Sequence, residues 1–224
     1  MSGSFFCHLI RLFLELALRF LGAISFLQIM LLFVGFFAII EKKLWHYVGK
    51  MEIRKCTNLD IDRMADFYDE VVLFLTQNVN WPRWKYQEYP SRASVVEDIA
   101  EGSQYACFDD DGAVIGAFVI NTDPRGAYHK GDWTVDLVEG EYSVIHSFAV
   151  RPDLYGRGIG PAMVAYCKRL SREAGLRAIR VDVVPTNLPA AALYRKEGFA
   201  FVGERDLERG FEDIPTFCLY EFNL

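Results

Sequence analysis

The chain has 224 residues, 52% of them hydrophobic, which is enough for one domain with a buried core plus an additional segment. Residues 1–50 hold five of its 24 basic and two of its 30 acidic residues, which leaves residues 51–224 with 19 basic and 28 acidic side chains and a net charge of −9. A surface this acidic disfavours nucleic acid and anionic lipid as partners and tolerates small cationic molecules. The five scattered cysteines, without a CxxC or Cys/His ligand spacing, indicate a reducing compartment and no metal site.

The first fifty residues contain one long apolar stretch. Residues 20–40 carry no formally charged side chain, and as a helix they would be about 30 Å long, enough to cross a bilayer. The larger group of basic residues follows this stretch, which favours an anchor whose C-terminal side faces the cytoplasm, at the inner face of the plasma membrane. Met51, however, leads directly into a predicted strand, so residues 1–50 are explained equally well as an upstream extension. Both alternatives stay open.

Residues 51–224 alternate between strand-like and helix-like patterns. Apolar residues recur every three or four positions from Ile61 to Leu75, which predicts an amphipathic helix capped by Asn58 or Asp60. The predicted strands are Met51–Cys56, Gln104–Phe108, Val114–Asn121, Tyr142–Val150, Ile179–Val184, Phe199–Asp206 and Thr216–Phe222. The other predicted helices are Arg92–Ala100, Met163–Ala174 and Leu188–Lys196.

Two connections carry side chains suited to binding a ligand. Residues 78–90 form a loop with four aromatic residues within nine positions, and these rings either line a binding site or close the open end of the sheet. They are Trp81, Trp84, Tyr86 and Tyr89. The second connection, residues 122–140, is polar, and some of its side chains are expected near a substrate.

The segment Val150–Ala162 joins a predicted strand to a predicted helix through a glycine-rich turn. Gly156, Gly158 and Gly160 let the backbone turn tightly and approach a ligand without an intervening Cβ. The first N–H groups of the following helix point at that turn, which makes it suited to a phosphate or pyrophosphate. A dinucleotide-binding fingerprint would need a third glycine where Pro161 stands, and the Gly-Lys-Ser/Thr of a P-loop is absent.

A second motif follows one helix and one strand later. The chain reads V-x-P-x-x-x-G-x-G-x-G from Val150 and N-x-x-A-x-x-L-Y-x-x-x-G-F from Asn187 to Phe199. This order resembles the GNAT superfamily, the GCN5-related N-acetyltransferases, over Met51–Leu224. The resemblance implies a mixed α/β (α+β) fold with a twisted, mostly antiparallel sheet of six to seven strands. Its central strands splay apart and about four helices flank it, with the N-terminal apolar segment as an additional helix.

The resemblance also implies acetyl-CoA as co-substrate and no metal ion. In this family the pantetheine arm lies between the splayed strands and the phosphates lie on the glycine-rich turn. The residues expected to contact acetyl-CoA are Phe148, Ala149, Val150, Tyr155, Gly156, Arg157, Gly158, Ile159, Gly160, Asn187 and Tyr194. Tyr155 stands where the family usually has Gln or Arg, and Pro161 lacks an N–H, so binding is expected to be retained but weaker. Asn187 can alternatively cap the helix behind it.

Acetyl transfer to an amine needs a proton donor for the leaving thiolate and a base for the amine. Tyr194 matches the family tyrosine that protonates the thiolate, although it also suits a packing role. For the base there are three candidates. Asp182 alternates with its valine neighbours on the second splayed strand, His146 has an imidazole suited to neutral pH, and Glu141 enters the same strand as His146. Asp182 is explained equally well as a strand charge paired with an arginine.

The sequence therefore predicts an N-acetyltransferase that moves an acetyl group directly to a primary amine of a small molecule. Trp81, Trp84 and Tyr86 are expected to contact the acceptor by stacking. A peptide α-amine is the alternative acceptor, and a non-catalytic acyl-CoA sensor or membrane-tethered module is the alternative function. The catalytic part is expected in the cytoplasm. The sequence sets no oligomeric state and is compatible with a homodimer.

Overall fold

The computed structural model describes residues 51–224. The apolar stretch 20–40, with its two alternative explanations, lies outside the described residues. Within residues 51–224, none of the helices is both long enough and apolar enough to cross a membrane.

Seven strands form one mixed sheet. Neighbouring strands are ordered β1-β2-β3-β4-β5-β7-β6, and every neighbouring pair is antiparallel except β4 and β5, which are parallel. The strands are β1 Glu52–Lys55, β2 Gln104–Phe108, β3 Val114–Asn121, β4 Tyr142–Val150, β5 Ala178–Val183, β6 Ala200–Arg205 and β7 Phe217–Asn223. This confirms the predicted mixed, mostly antiparallel sheet.

Within residues 51–224, four α-helices accompany the sheet: α1 Ile61–Gln77, α2 Arg92–Ala100, α3 Ile159–Glu173 and α4 Leu188–Lys196. The bounds of α2 and α4 are those predicted. Helix α3 begins four residues earlier than predicted, because Gly158 adopts a left-handed φ of 84° at its N-cap. Pro161 therefore lies in the first turn of α3, where its missing N–H breaks no helical hydrogen bond.

Helices α1 and α3 pack on opposite faces of the sheet. Ala117 of β3 belongs to the core cluster formed with α1 and α2. At the adjacent Gly116, an added Cβ would meet Met163 and Ile159 of α3. Since neighbouring residues of a strand face opposite sides, the sheet is covered by α1 and α2 on one side and by α3 on the other.

The two parallel strands separate at the centre of the sheet. Their residue pairs run only from Tyr142–Ala178 to Val144–Arg180. β4 nevertheless stays paired with β3 as far as Val150. The edge of β4 beyond Val144 therefore faces a gap toward β5, as predicted for splayed central strands.

The connection between β3 and β4 also packs against the sheet. It belongs, together with side chains of β5 and β7, to a core cluster that contains Tyr128 and Leu137. The buried ion pair between Arg180 Nε and Glu221 Oε1 (3.0 Å) lies beneath it, and the ring of Trp133 lies over the Arg180 guanidinium at 4.2 Å. The sequence predicted only a polar connection here, because its apolar residues follow neither helical nor strand spacing.

Candidate active site

The glycine-rich turn lies at the N-terminus of α3. Gly156 and Gly158 have φ angles of 77° and 84°, which L side chains rarely adopt. Because the first helical bond of α3 runs from Ala162 N–H to Gly158 O (3.1 Å), the N–H groups of Ile159 and Gly160 precede the helical ladder and suit an anionic ligand.

Tyr155 stands just before this turn and is 54% exposed. Its ring meets Phe74 of α1 edge-on, with ring centroids 6.5 Å apart. Arg151, one turn earlier, pairs with Asp153 (Nε–Oδ1, 2.8 Å), whereas the side chain of Arg157 is exposed. The turn thus combines backbone donors, an aromatic ring and basic residues at one end of the β4–β5 gap.

Tyr194 lies on α4 and is 3% exposed. Its ring contacts Phe148 of β4 with centroids 6.0 Å apart, which places it beside the strand that borders the gap. Burial raises the pKa of Tyr194 well above its usual value, so its hydroxyl stays protonated and can act as a hydrogen-bond donor or acid. Asn187 caps α4, because its Oδ1 accepts the Ala190 N–H (3.2 Å).

His146 points to the face of β4 covered by the β3–β4 connection. Its Nε2 donates to the carbonyl oxygen of Asp123 (3.0 Å), so the neutral ring keeps its basic lone pair on Nδ1. Burial lowers the pKa of His146 to about 4. The expectation of a pKa near neutrality is therefore wrong, because the sequence does not reveal that the ring is buried.

Asp182 is held by an arginine and a tyrosine. Arg209 donates to both of its carboxylate oxygens (2.7 and 2.8 Å), and the Tyr128 hydroxyl donates to Oδ1 (2.6 Å). Burial alone would raise the pKa of Asp182, but the charge and hydrogen bonds of Arg209 outweigh it and the pKa lies below its usual value. Of the two explanations that the sequence left open, the geometry matches the ion pair.

Glu141 lies at the start of β4, where the two parallel strands are still paired. Its carboxylate accepts the Val138 N–H (3.0 Å) and pairs with Arg177 (3.3 Å). The structure therefore does not bring Glu141 to the gap, although it brings His146 and Asp182 close enough for their charges to interact.

The loop of residues 78–90 borders a pocket of about 390 Å³. Thr186, which follows β5, and Asp213 of the β6–β7 loop line its other side. The loop contributes Val79, Asn80, Trp81, Arg83 and Lys85. Thr186 places this pocket beside the end of β5 that has separated from β4.

The three aromatic residues expected to contact an acceptor are placed differently. Trp81 lines the pocket, whereas Trp84 packs against the α1 core cluster. Tyr86 is 42% exposed and is not among the residues that line the pocket. The side chain of Asn80 bonds Trp84 at both its N–H (3.0 Å) and its C=O (2.6 Å), which directs the Trp84 ring inward.

Sequence reasoning missed the charged lining of the pocket. Arg83 and Asp213 stand on opposite sides of it with Nη1 and Oδ2 4.0 Å apart, and Lys85 adds a second positive charge. No sequence pattern links residues 130 positions apart, so only the fold brings them together. Within residues 51–224, no group of three or more His, Cys, Asp or Glu side chains is arranged to hold a metal ion.

A parallel strand pair that opens into a gap, with a glycine-rich turn at one end and a buried tyrosine beside it, defines an acyltransferase of the GNAT class. The sequence profile of the acetyltransferase (GNAT) family matches residues 68–199. The chain therefore belongs to this family, and it is an acyltransferase.

Known proteins of the same class resemble the chain at low sequence identity. An uncharacterised N-acetyltransferase of Methanocaldococcus jannaschii is 22% identical over 174 residues, which cover 75% of this chain and 68% of that protein. A GNAT-family acetyltransferase from Streptococcus agalactiae has a TM-score of 0.63 at 20% identity, over 78% of this chain and 95% of that one. Another from Streptococcus pneumoniae has a TM-score of 0.60 at 15% identity, over 78% and 99%. The two structures establish the shared fold.

Proposed function

We propose that the chain transfers the acetyl group of acetyl-CoA directly to a primary amine of a small molecule. The observation that carries this proposal is the position of Tyr194, a buried and protonated hydroxyl beside Phe148 at the β4–β5 gap. The family membership supports acyl transfer in general. The acetyl-CoA donor, the amine acceptor and the residue roles are our inference. A reaction that uses acetyl-CoA would take place in the cytoplasm, where acetyl-CoA is available.

The chain offers complementary features for acetyl-CoA. The backbone N–H groups of the turn at Gly156–Gly160 suit its phosphates. The edge of β4 at Phe148, Ala149 and Val150, beyond the last β5 pair, suits the amides of its pantetheine arm. Tyr194 lies beside Phe148 and would protonate the thiolate that leaves when the amine attacks. Asn187 already uses one lone pair of Oδ1 to cap α4, so it would contact the arm through its amide nitrogen or through the second lone pair of Oδ1.

The acceptor amine would enter from the pocket beside Trp81, Arg83, Thr186 and Asp213. Holding both substrates together lets proximity lower the barrier without a covalent enzyme intermediate. His146 and Asp182 are the titratable groups on this side of the gap that would take the amine proton, most directly through water. Because Asp182 is engaged by Arg209, His146 Nδ1 is the better-placed acceptor of the two, although a pKa of about 4 makes it a weak base.

The first test is a thermal titration of the full-length chain with acetyl-CoA. A ligand that binds only the native state raises the melting temperature progressively once its concentration passes Kd, and the stabilisation is about 2.7 kcal/mol at a hundred times Kd. An amine screen then follows, in which each amine is paired with its carboxylated counterpart, because Arg83 and Lys85 face Asp213 across the pocket. No shift with a folded protein contradicts the proposed donor.

Tyr194→Phe tests the proposed chemistry. Removing the acid should lower kcat about 100-fold while the acetyl-CoA Kd stays near that of the parent, since the ring and its contact with Phe148 remain. Saturable binding without turnover of any amine would favour the acyl-CoA sensor instead. Turnover confined to peptide α-amines would replace the small-molecule acceptor.

A further inference from the structure

One residue of β4 has a strained backbone at the gap. Ser147 has a φ of 47° and is 8% exposed. Among residues 51–224, the other non-glycine residues with positive φ lie in loops, at Arg83, Gln87, Arg125 and Glu208. A serine in this conformation persists only where surrounding contacts hold it.

The strain coincides with a bulge in the β3–β4 pairing. The pairs Ala117–Ala149 and Val119–His146 leave two residues of β4, Ser147 and Phe148, opposite a single residue of β3. Bulges of this kind redirect side chains and backbone groups and are frequent beside functional sites.

Two tyrosine hydroxyls converge on Ser147 from different parts of the chain. Tyr68 of α1 is 1% exposed and donates to the Ser147 carbonyl oxygen (2.8 Å). Tyr89, at the end of the 78–90 loop, shares a hydrogen bond of 2.7 Å with Ser147 Oγ. The strained residue is thus bonded through its main chain by one tyrosine and through its side chain by the other.

Trp84 lies between the two tyrosines. Its ring meets Tyr68 edge-on at a centroid distance of 6.2 Å and Tyr89 at 6.3 Å. Substitution of any one ring therefore disturbs the placement of the others. Through this cluster, the loop that lines the acceptor pocket is connected to the central strand.

The bulge also determines where Phe148 lies. The Phe148 ring follows Ser147 directly and contacts both Phe118 (6.3 Å) and Tyr194 (6.0 Å). We propose that Tyr68 and Tyr89 are positioning residues: by holding Ser147 in its left-handed conformation, they place Phe148, and through it Tyr194, for acetyl transfer. This inference rests on the proposed function.

The test uses hydroxyl deletions in the full-length chain. Tyr68→Phe and Tyr89→Phe keep the rings and remove one hydrogen bond each, and kcat should fall about tenfold for each with the KM for acetyl-CoA unchanged. Tyr220→Phe is the matched control, because that ring packs against Phe201 of β6 and its strand, β7, is separated from β4 by β5. It should leave kcat unchanged.

Ser147→Gly separates backbone strain from the hydroxyl contact. Glycine adopts positive φ without a steric penalty and keeps the carbonyl that Tyr68 uses, but it has no Oγ for Tyr89. In the Ser147→Gly background, Tyr89→Phe should therefore have no further effect, whereas Tyr68→Phe should keep its effect. Additive effects of Tyr89→Phe and Ser147→Gly on kcat would contradict the hydrogen bond between Tyr89 and Ser147 Oγ.

Hydrogen exchange of the β4 peptide gives a readout that does not need turnover. If the two hydroxyls hold the bulge, residues 143–150 should exchange faster in both tyrosine variants than in the parent and in Tyr220→Phe. Unchanged exchange overturns the proposal. Faster exchange with the parent kcat makes the tyrosines structural only and overturns the positioning role. A parent without acetyl transfer refutes the proposed function, and exchange then decides separately whether the hydroxyls hold the bulge.

Discussion

Burial sets the protonation state of the two ionisable side chains nearest the proposed chemistry. It lowers the pKa of His146 to about 4 and raises that of Tyr194 well above its usual value, so both are uncharged at neutral pH. Tyr194 can therefore serve as a proton donor throughout the physiological range. His146 can accept a proton without first losing one, so its titration predicts no change in kcat/KM near pH 6.5.

The buried imidazole predicts a loss of stability in acid. The pKa of His146 is about 4 in the folded chain and about 6.5 in an unfolded one. Between these values the unfolded chain binds more protons, so the free energy of unfolding should rise with pH across this window, by up to about 3 kcal/mol in total. Denaturant titrations from pH 4 to 7.5 measure this slope.

His146→Gln should flatten that slope, since the amide keeps a donor for the Asp123 carbonyl but does not titrate. The exposed His129→Gln is the control and should retain the parent slope. An unchanged slope in His146→Gln would contradict the assignment of this pH dependence to His146.

At the scale of the structural elements, the glycine-rich turn can be compared with a second turn in which a glycine has a similar backbone conformation. Gly156 and Gly140 both have positive φ, at 77° and 91°, and at both an added Cβ would meet no atom within 4 Å. Gly156→Ala and Gly140→Ala should therefore each lower the free energy of unfolding by about 1 kcal/mol through backbone strain alone. Only Gly156→Ala should also weaken acetyl-CoA binding in a thermal titration. Equal affinities for the two variants would argue against phosphate binding at this turn.

The β6–β7 loop is attached to the rest of the domain by Arg209. Besides Asp182, its guanidinium bonds the carbonyl oxygens of Pro124 and Arg125 at 3.1 and 2.8 Å. One side chain thus joins this loop, β5 and the β3–β4 connection.

Arg209→Ala should lower the free energy of unfolding by about 3 kcal/mol, because it leaves the carboxylate of Asp182 buried without its partner. Arg209→Ala combined with Asp182→Ala should be less destabilised than the sum of the two single variants. Arg205→Ala removes an exposed pair with Asp132 and is the control, with an expected change below about 1 kcal/mol. Denaturant unfolding measures all four variants, and equal losses for Arg209→Ala and Arg205→Ala would contradict the prediction.

At the scale of the whole domain, two of the core clusters within residues 51–224 lie on the same sheet. One lies under α1 and α2, and the other lies under the β3–β4 connection and the segment after β6. Leu207 belongs to the second cluster and is fully buried, although it lies in no helix or strand. The carbonyl oxygen of Leu207 accepts the Ala127 N–H (2.9 Å), which ties the two irregular segments together.

Leu207→Ala should therefore behave as a core substitution and lower the free energy of unfolding by about 2–4 kcal/mol. Val138→Ala, in the same irregular region but 69% exposed, should change it by less than about 0.5 kcal/mol. Urea unfolding of the full-length chain compares them. Similar losses for the two would mean that these segments are not a true core.

Local patterns were sufficient for much of the fold. The three-and-four spacing between Ile61 and Leu75 predicted α1, and the bounds of α2 and α4 agree with the structure. Such patterns work because spacing along the chain determines which face of an element is apolar. The start of α3 was missed because it depends on a left-handed Gly158 rather than on apolar spacing.

The candidate site was only partly accessible to the same reasoning. The motifs led to the glycine-rich turn and to Tyr194, whose catalytic role stays a prediction. They did not reveal that the Trp84 ring points toward the core, because this orientation depends on the hydrogen bonds of Asn80 with the Trp84 main chain and on the ring contact with Tyr68. They also gave no sign of Ser147, which reads as an ordinary strand residue.

The amino-acid sequence by itself determined the order of strands and helices, the glycine-rich turn and the family, since each is encoded in neighbouring residues or in the spacing of a motif. Only the tertiary structure decided the partners and the pKa values of the reactive side chains. Asp182 meets Arg209 across 27 positions and Ser147 meets Tyr68 across 79, while burial moves the pKa of His146. The hydrogen-bond partners and protonation states of these side chains depend on which distant segments the fold packs together and on how much water it excludes. The spacing of residues along the chain predicts neither of these.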